Sequence, residues 1–150
     1  MSWFDELPPV MASHAGYLSI RIGQITQRSF EEAIAPLGLR PQLFDVLAVV
    51  GHGGPLAQQA IGTILGIDPA RMVALIDELE AADLVVRRAD PSDRRRRLIT
   101  LTDTGQHRLT TATEAATQIE AGLLANLSER QRQSLRSLLA QVVKGTANVD

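Results

Sequence analysis

Apolar residues recur along this chain at intervals of three and four in several stretches and alternate in only one place, which predicts five or six helices and a single β-hairpin. The first helix is expected over Val10 to Ala35, with Leu18, Ile22, Ile25, Phe30 and Ile34 as its apolar positions and a stop at Pro36 and Gly38. Pro41 opens a short second helix through Phe44, Leu47 and Val50, closed by a loop from Gly51 to Pro55. A third, from about Ala57 to Leu65, runs into Gly66, which suits a C-cap. Asp68 as N-cap and Pro69 at the first helical position fix the start of a fourth helix, with Leu75, Ile76 and Leu79 turned inward. Val85 to Arg88 and Leu98 to Leu101 read as strands around the turn Asp90-Pro91-Ser92-Asp93. Thr102 or Asp103 caps a fifth, long helix to about Asn126, striped by Leu109, Ala112, Ala116, Ile119 and Leu123. Ser128 and Gln131 form a capping box for a sixth through Leu135, Leu138, Leu139 and Val142.

Two short helices joined by a tight turn and followed by a hairpin are the order of a winged helix-turn-helix. The fold class expected is therefore mainly α, with a small β-hairpin wing between long N- and C-terminal helices. The charge distribution sharpens this. The chain carries a net charge of −2, yet Arg87 to Arg97 holds six arginines against Asp90 and Asp93, so a local +4 sits on a body of −6. A basic stripe on an acidic body suits a protein that meets double-stranded DNA with one face.

Register decides which side chains reach bases. In a helix-turn-helix the N-terminal residues of the second helix face base edges. Arg71 is then the best-placed polar reader, and Val73 or Ala74 can touch thymine methyl groups. On the hairpin, four consecutive arginines alternate faces, so they cannot all enter one groove. Arg95 is the expected tip contact, with Asp93 accepting a hydrogen bond from Arg95 or from turn amides; Arg94, Arg96 and Arg97 are expected on phosphates or in solvent.

Other chemistry is sparse. The 150 residues contain no cysteine, which excludes disulfides and thiolate metal sites. His14, His52 and His107 lack metal-ligand spacing, and no phosphate loop, nucleophile elbow or acid/base cluster suggests an enzyme; no cofactor is implied. There is no membrane-spanning apolar run and no signal-peptide pattern, so a cytoplasmic location is expected. His14, Tyr17 and Arg21 fall at i, i+3 and i+7 of the first helix and could border a crevice with Phe44 and His52, an effector site; the other reading of that stripe is a plain helix interface. The first, fifth and sixth helices carry more apolar surface than one small winged helix can cover, which points to a homodimer.

The segment from about Gln42 to Gly105 resembles the MarR family of bacterial winged-helix transcriptional regulators. DPSDRRRRLITLTDTG is similar to the family's wing signature of Asp-x-Arg, a strand ending in Leu-Thr, then Gly; LAQQAIGTILGID, DELEAADLV and the flanking helices fit the same pattern over nearly the whole chain. The resemblance implies one domain over 1–150, with a DNA-binding core at about 42–102 and dimerisation helices at 10–36 and 103–146. It further implies a homodimeric regulator, expected to be a repressor, that binds a palindromic operator and is released by a small aromatic or phenolic effector. Asp93 and Arg95 match the family's wing-tip pair. The DNA-facing set is expected to comprise Gln58, Asp68, Arg71, Val73 and Ala74 on the helices, with Arg88, Asp93, Arg94, Arg95, Arg96 and Arg97 on the hairpin. Two positions depart from the family pattern. Many relatives have Thr-Arg where this chain has Val73-Ala74, leaving Arg71 to substitute, and many have Gly where Asp83 ends the fourth helix. A winged-helix protein-interaction module without specific DNA binding is the alternative, because fold does not dictate function.

Overall fold

The computed structural model describes residues 6–93 and 95–146. Its elements, in chain order, are α1 (Pro9–Ala12), α2 (Ala15–Ile34), α3 (Pro41–Gly53), β1 (Leu56–Ala57), α4 (Gln58–Leu65), α5 (Pro69–Ala81), β2 (Val85–Ala89), β3 (Arg97–Leu101), α6 (Asp103–Leu123) and α7 (Glu129–Thr146). No single described helix is long and apolar enough to cross a membrane.

Three local expectations are corrected. The first helix is not continuous from Val10: it breaks at Ser13 and His14, with His14 extended (φ −99°, ψ 111°) as the N-cap of α2, and it yields to a 3-10 turn, Ala35–Leu37, closed by left-handed Gly38. The second does not end at Gly51 but runs through His52 to Gly53. Gly51 is tolerated inside the helix because it lies against α6: a Cβ there would come within 2.5 Å of Leu109 Cδ2. Finally, Leu56 and Ala57 pair with Ile99 and Leu98, so the hairpin gains a third strand and the antiparallel sheet runs β1-β3-β2.

The core lies where α3, α4, α5 and the sheet converge. Leu43, Val46, Leu47 and Val50 of α3 meet Ile61 of α4, Met72, Leu75, Ile76 and Leu79 of α5, and Val85 and Ile99 of the strands. Ile34 from α2 and Ala112 from α6 join the same cluster, which seats the long helices on the helix-turn-helix. At roughly 25 cal/mol per Å² of apolar surface removed from water, each such side chain contributes about 1.5–3 kcal/mol.

One junction ties α6 to the end of the wing. Thr102 caps α6 by accepting from Gly105 N–H at 2.9 Å, and its hydroxyl donates to Asp83 O at 2.6 Å. Thr102 N–H also donates to Leu84 O at 3.1 Å. Gly105 lies so close to Leu84 that a Cβ would stand 1.9 Å from the Leu84 carbonyl oxygen, a position closed to every other residue. Asp83 itself takes the left-handed conformation at φ 56°, which Asp tolerates better than most residues.

Candidate nucleic-acid interface

The turn between α4 and α5 is built from local chemistry. Gly66 is left-handed (φ 63°), and Ile67 N–H donates to Gly62 O at 2.9 Å. A Cβ at Gly62 would press to 3.1 Å from Ile67 O, so the turn is as tight as it can be. Asp68 then caps α5, its carboxylate accepting from Arg71 N–H at 2.9 Å, with Pro69 at the first position where no N–H is needed.

That start sets the face α5 presents. Met72, Leu75, Ile76 and Leu79 are buried, while Ala70, Arg71, Val73, Ala74 and Asp77 are exposed. At 100° per residue, Ala70, Ala74 and Asp77 form the outermost stripe, with Arg71 and Val73 flanking it on opposite sides. The exposed set therefore contains one flexible cation, one methyl-bearing edge and a small central residue that permits close approach. Gln58, at the first position of α4, is half-buried.

The wing is fixed by β2 and β3, in antiparallel register from Val85 opposite Leu101 to Ala89 opposite Arg97. Its tip is organised by Asp90, which is 8% exposed and is the buried polar residue among those described. Asp90 Oδ1 accepts from Ser92 N–H at 2.8 Å and from Ser92 Oγ at 2.6 Å, and Asp90 N–H donates to Arg96 O at 3.0 Å. The two hydrogen bonds from Ser92, its hydroxyl first, hold the Asp90 carboxyl below the usual carboxylate range. Asp93 completes the turn: its Oδ1 accepts from Arg95 N–H at 3.0 Å and its carbonyl from Arg96 N–H at 2.9 Å. Asp93 and Arg95 are thus joined through the backbone amide, so Asp93 shapes the turn and the Arg95 side chain projects from it, exposed. Arg88, Arg96 and Arg97 are also exposed, and Arg94 lies outside the described residues.

Arg87 behaves differently from the other arginines. It points back to α5, where its guanidinium donates to Glu80 and Asp77 and its backbone N–H donates to Glu80 Oε1 at 3.1 Å. Burial works against its charge, but the hydrogen bonds and the attraction of the two carboxylates prevail and raise its pKa. Two acids on α5 are thereby neutralised beside the exposed stripe. Sequence reasoning singled out neither Arg87 nor its partners. The available signal was Asp77 and Glu80 spaced i, i+3 on one helix opposite the first arginine of a strand.

Of the residues expected around an effector, Phe44 lines a cavity and His14, Tyr17, Arg21 and His52 are not among that cavity's lining residues. Tyr17 and Arg21 lie on α2, with Arg21 donating to Gln24 Oε1 at 3.1 Å, whereas His14 precedes the helix and His52 is exposed near the end of α3. Phe44 instead meets Phe30 edge to face, with centroids 4.9 Å apart and an interplanar angle of 75°. Both line a cavity of about 570 Å³ between α2, α3 and α6, with Gly23, Thr26, Gln27, Ala116, Ile119, Glu120 and Leu123 completing its wall. Among the described residues no cluster of acidic and histidine side chains could hold a metal ion.

Comparison with known proteins agrees with this geometry. The model of the MarR family matches residues 37–96. A protein of Thauera aromatica named as a transcriptional regulator of the hcr operon is 30% identical over 136 residues, covering 89% of this chain and 81% of that protein. The transcriptional repressor CouR bound to a 23-mer DNA duplex is similar at 34% identity and a TM-score of 0.79, covering 90% of this chain and 96% of that one. CouR of Rhodococcus jostii RHA1 bound to p-coumaroyl-CoA is similar at 28% identity and a TM-score of 0.77, over 90% of this chain and 95% of that one.

Proposed function

Because this chain belongs to the MarR family of transcriptional regulators, we propose that it is a repressor whose homodimer reads a palindromic operator and is released when a small aromatic effector enters the cavity between α2, α3 and α6. The observation that carries the DNA-binding assignment is the Arg87 clamp. It holds the basic wing at a set angle to α5, so that one rigid body presents Arg71, Val73 and Ala74 to a major groove and Arg95 to the adjoining minor groove. Arg88, Arg96 and Arg97 flank that surface as phosphate contacts, and Arg94 belongs with them by position. Gln58 and Asp68 both line the cleft at the turn between α4 and α5.

Dimerisation is supported by apolar side chains left in solvent. Ile20, Ile22 and Ile25 on α2 and Leu138, Leu139, Val142 and Val143 on α7 are all exposed, a surface that a second copy would bury. Two recognition helices related by a twofold axis then meet successive major grooves about 34 Å apart. The Phe30–Phe44 pair and the apolar wall around it suit an aromatic ring, and CouR, which shares this fold, is bound to p-coumaroyl-CoA in one of its structures.

Footprinting of the full-length protein across the genome that encodes it tests the assignment. The bound sites should share an inverted repeat with half-sites one helical turn apart. Sites without twofold symmetry, or protection that ignores sequence, would overturn the operator and the dimer together.

A further inference from the structure

Arg40 stands where α3 begins, and it does not cap that helix. Its backbone is extended (φ −129°, ψ 160°) at the N-cap, where a Ser, Thr, Asp or Asn side chain would accept from a free N–H, but the Arg40 side chain makes no cap hydrogen bond. The guanidinium is engaged elsewhere. NH1 donates to Gln42 Oε1 at 2.6 Å, and NH2 donates to Glu78 Oε2 of α5 at 2.6 Å, across 38 positions of sequence. The foot of the side chain is fixed as well. Arg40 O accepts from Leu43 N–H at 2.9 Å and Phe44 N–H at 3.1 Å, while Leu39 beside it is buried and its N–H donates to Ile34 O at 3.3 Å. Arg40 is therefore a strut from the α2–α3 junction to α5.

Arg71 and Glu78 are seven positions apart, as are Val73 and Glu80, so each pair shares one flank of α5 at a spacing of two turns, about 10.5 Å. Glu78 and Glu80 themselves lie about 200° apart around the axis, on nearly opposite flanks. Arg87 holds the Val73 flank from the wing, and Arg40 holds the Arg71 flank from the α2–α3 junction. The inward contacts of Met72, Leu75, Ile76 and Leu79 are apolar and non-directional. Two directional grips on opposite flanks are what set the roll of the helix about its own axis. Resting on the DNA-binding reading above, we propose that Arg40 is a positioning residue for base recognition: it acts through Glu78 to fix the roll of α5, and with it the aim of Arg71, at the expense of capping α3.

The test is an anisotropy titration of the full-length protein with two labelled duplexes: the one that the native protein enriches most from a random-sequence pool, and a scrambled duplex of the same base composition. The ratio of the two affinities reports reading and cancels the general change in charge that each substitution brings. Arg40→Ser should lower that ratio by about fivefold or more. Its thermal midpoint should hold or rise, because serine can cap α3 and an exposed ion pair adds little to stability. Glu78→Ala should lower the ratio to a similar extent, and the double variant should be no worse than either single one, since each removes the same strut. An unchanged ratio in either single variant would overturn the proposal. Losses that simply add in the double variant would overturn it too, by making Arg40 a DNA contact independent of Glu78. A ratio lost only together with a lowered thermal midpoint would make Arg40 a fold-stabilising residue instead. If the native protein enriches no duplex at all, the DNA-binding reading itself falls, and the proposal with it.

Discussion

Arg87 and Glu80 are joined twice, through the backbone N–H of Arg87 to one carboxylate oxygen of Glu80 and through its guanidinium to the other. The double contact fixes β2 against the last turn of α5, and Asp77 extends the grip one turn back along the same helix. Only 26% of the Arg87 side chain is exposed, so this is a half-sheltered cluster and not a solvated surface pair.

Replacing Arg87 by Met should keep the aliphatic packing and remove the clamp. Hydrogen bonds between charged groups contribute about 1.5–3 kcal/mol, and with Asp77 largely solvated the expected loss is about 1–2 kcal/mol in urea denaturation. Operator affinity should fall as well, because the wing loses its set angle. A variant as stable as the native protein would show that the contacts contribute nothing net.

Arg71→Ala should lose roughly 1–3 kcal/mol on the cognate operator and relax preference at one base position. The Asp68 cap uses the Arg71 backbone amide and not its side chain, so helix stability should be unaffected. Equal weakening on every sequence would instead make Arg71 a phosphate contact.

At the wing tip, Arg95→Ala should weaken operator binding and make its salt dependence shallower, since a released counterion is lost with the contact. Asp93→Ala should also weaken binding, although it removes a negative charge beside DNA, because the Arg95 N–H loses its acceptor and the turn loosens. Tighter binding by Asp93→Ala in a salt series would mean that the carboxylate merely repels the backbone.

Asp90 gives a pH signature. Its folded carboxyl lies below the ordinary value of 3.8, so the stability it contributes is present above that pH and is lost as pH falls through the lower, folded value. Asp90→Asn cannot titrate and lacks this component. Urea denaturation from about pH 5 down to pH 2 should therefore show a shallower acid loss in the variant. Parallel curves would show that Asp90 titrates alike in the folded and unfolded chains.

Much of the helix-turn-helix and of the helix ends was legible because its causes are local. The Asp68–Pro69 start of α5, left-handed Gly66, the Thr102 cap and the Ser128–Gln131 box each depend on residues within a few positions of one another. The departures arise from contacts distant in sequence. Gly51 reads as a helix breaker until Leu109 of α6 is set beside it, and Leu56–Ala57 is too short to show alternation and is a strand only because β3 lies alongside. Arg87 looks like its five neighbours along the chain. Only the register of β2, which turns Arg87 toward α5, distinguishes it.

The junction of Gly105 with Leu84 has a mechanical consequence. With a backbone carbonyl where a side chain would be, and with Thr102 bonded to both Asp83 and Leu84, the first turn of α6 has no slack relative to the end of β2 and α5. The 21 residues of α6 make a rod about 32 Å long, gripped at one end by the DNA-reading head and lined along its far half by the cavity. Such a rod acts as a lever. A rigid tilt of about 5° over that length displaces one end by about 3 Å relative to the other.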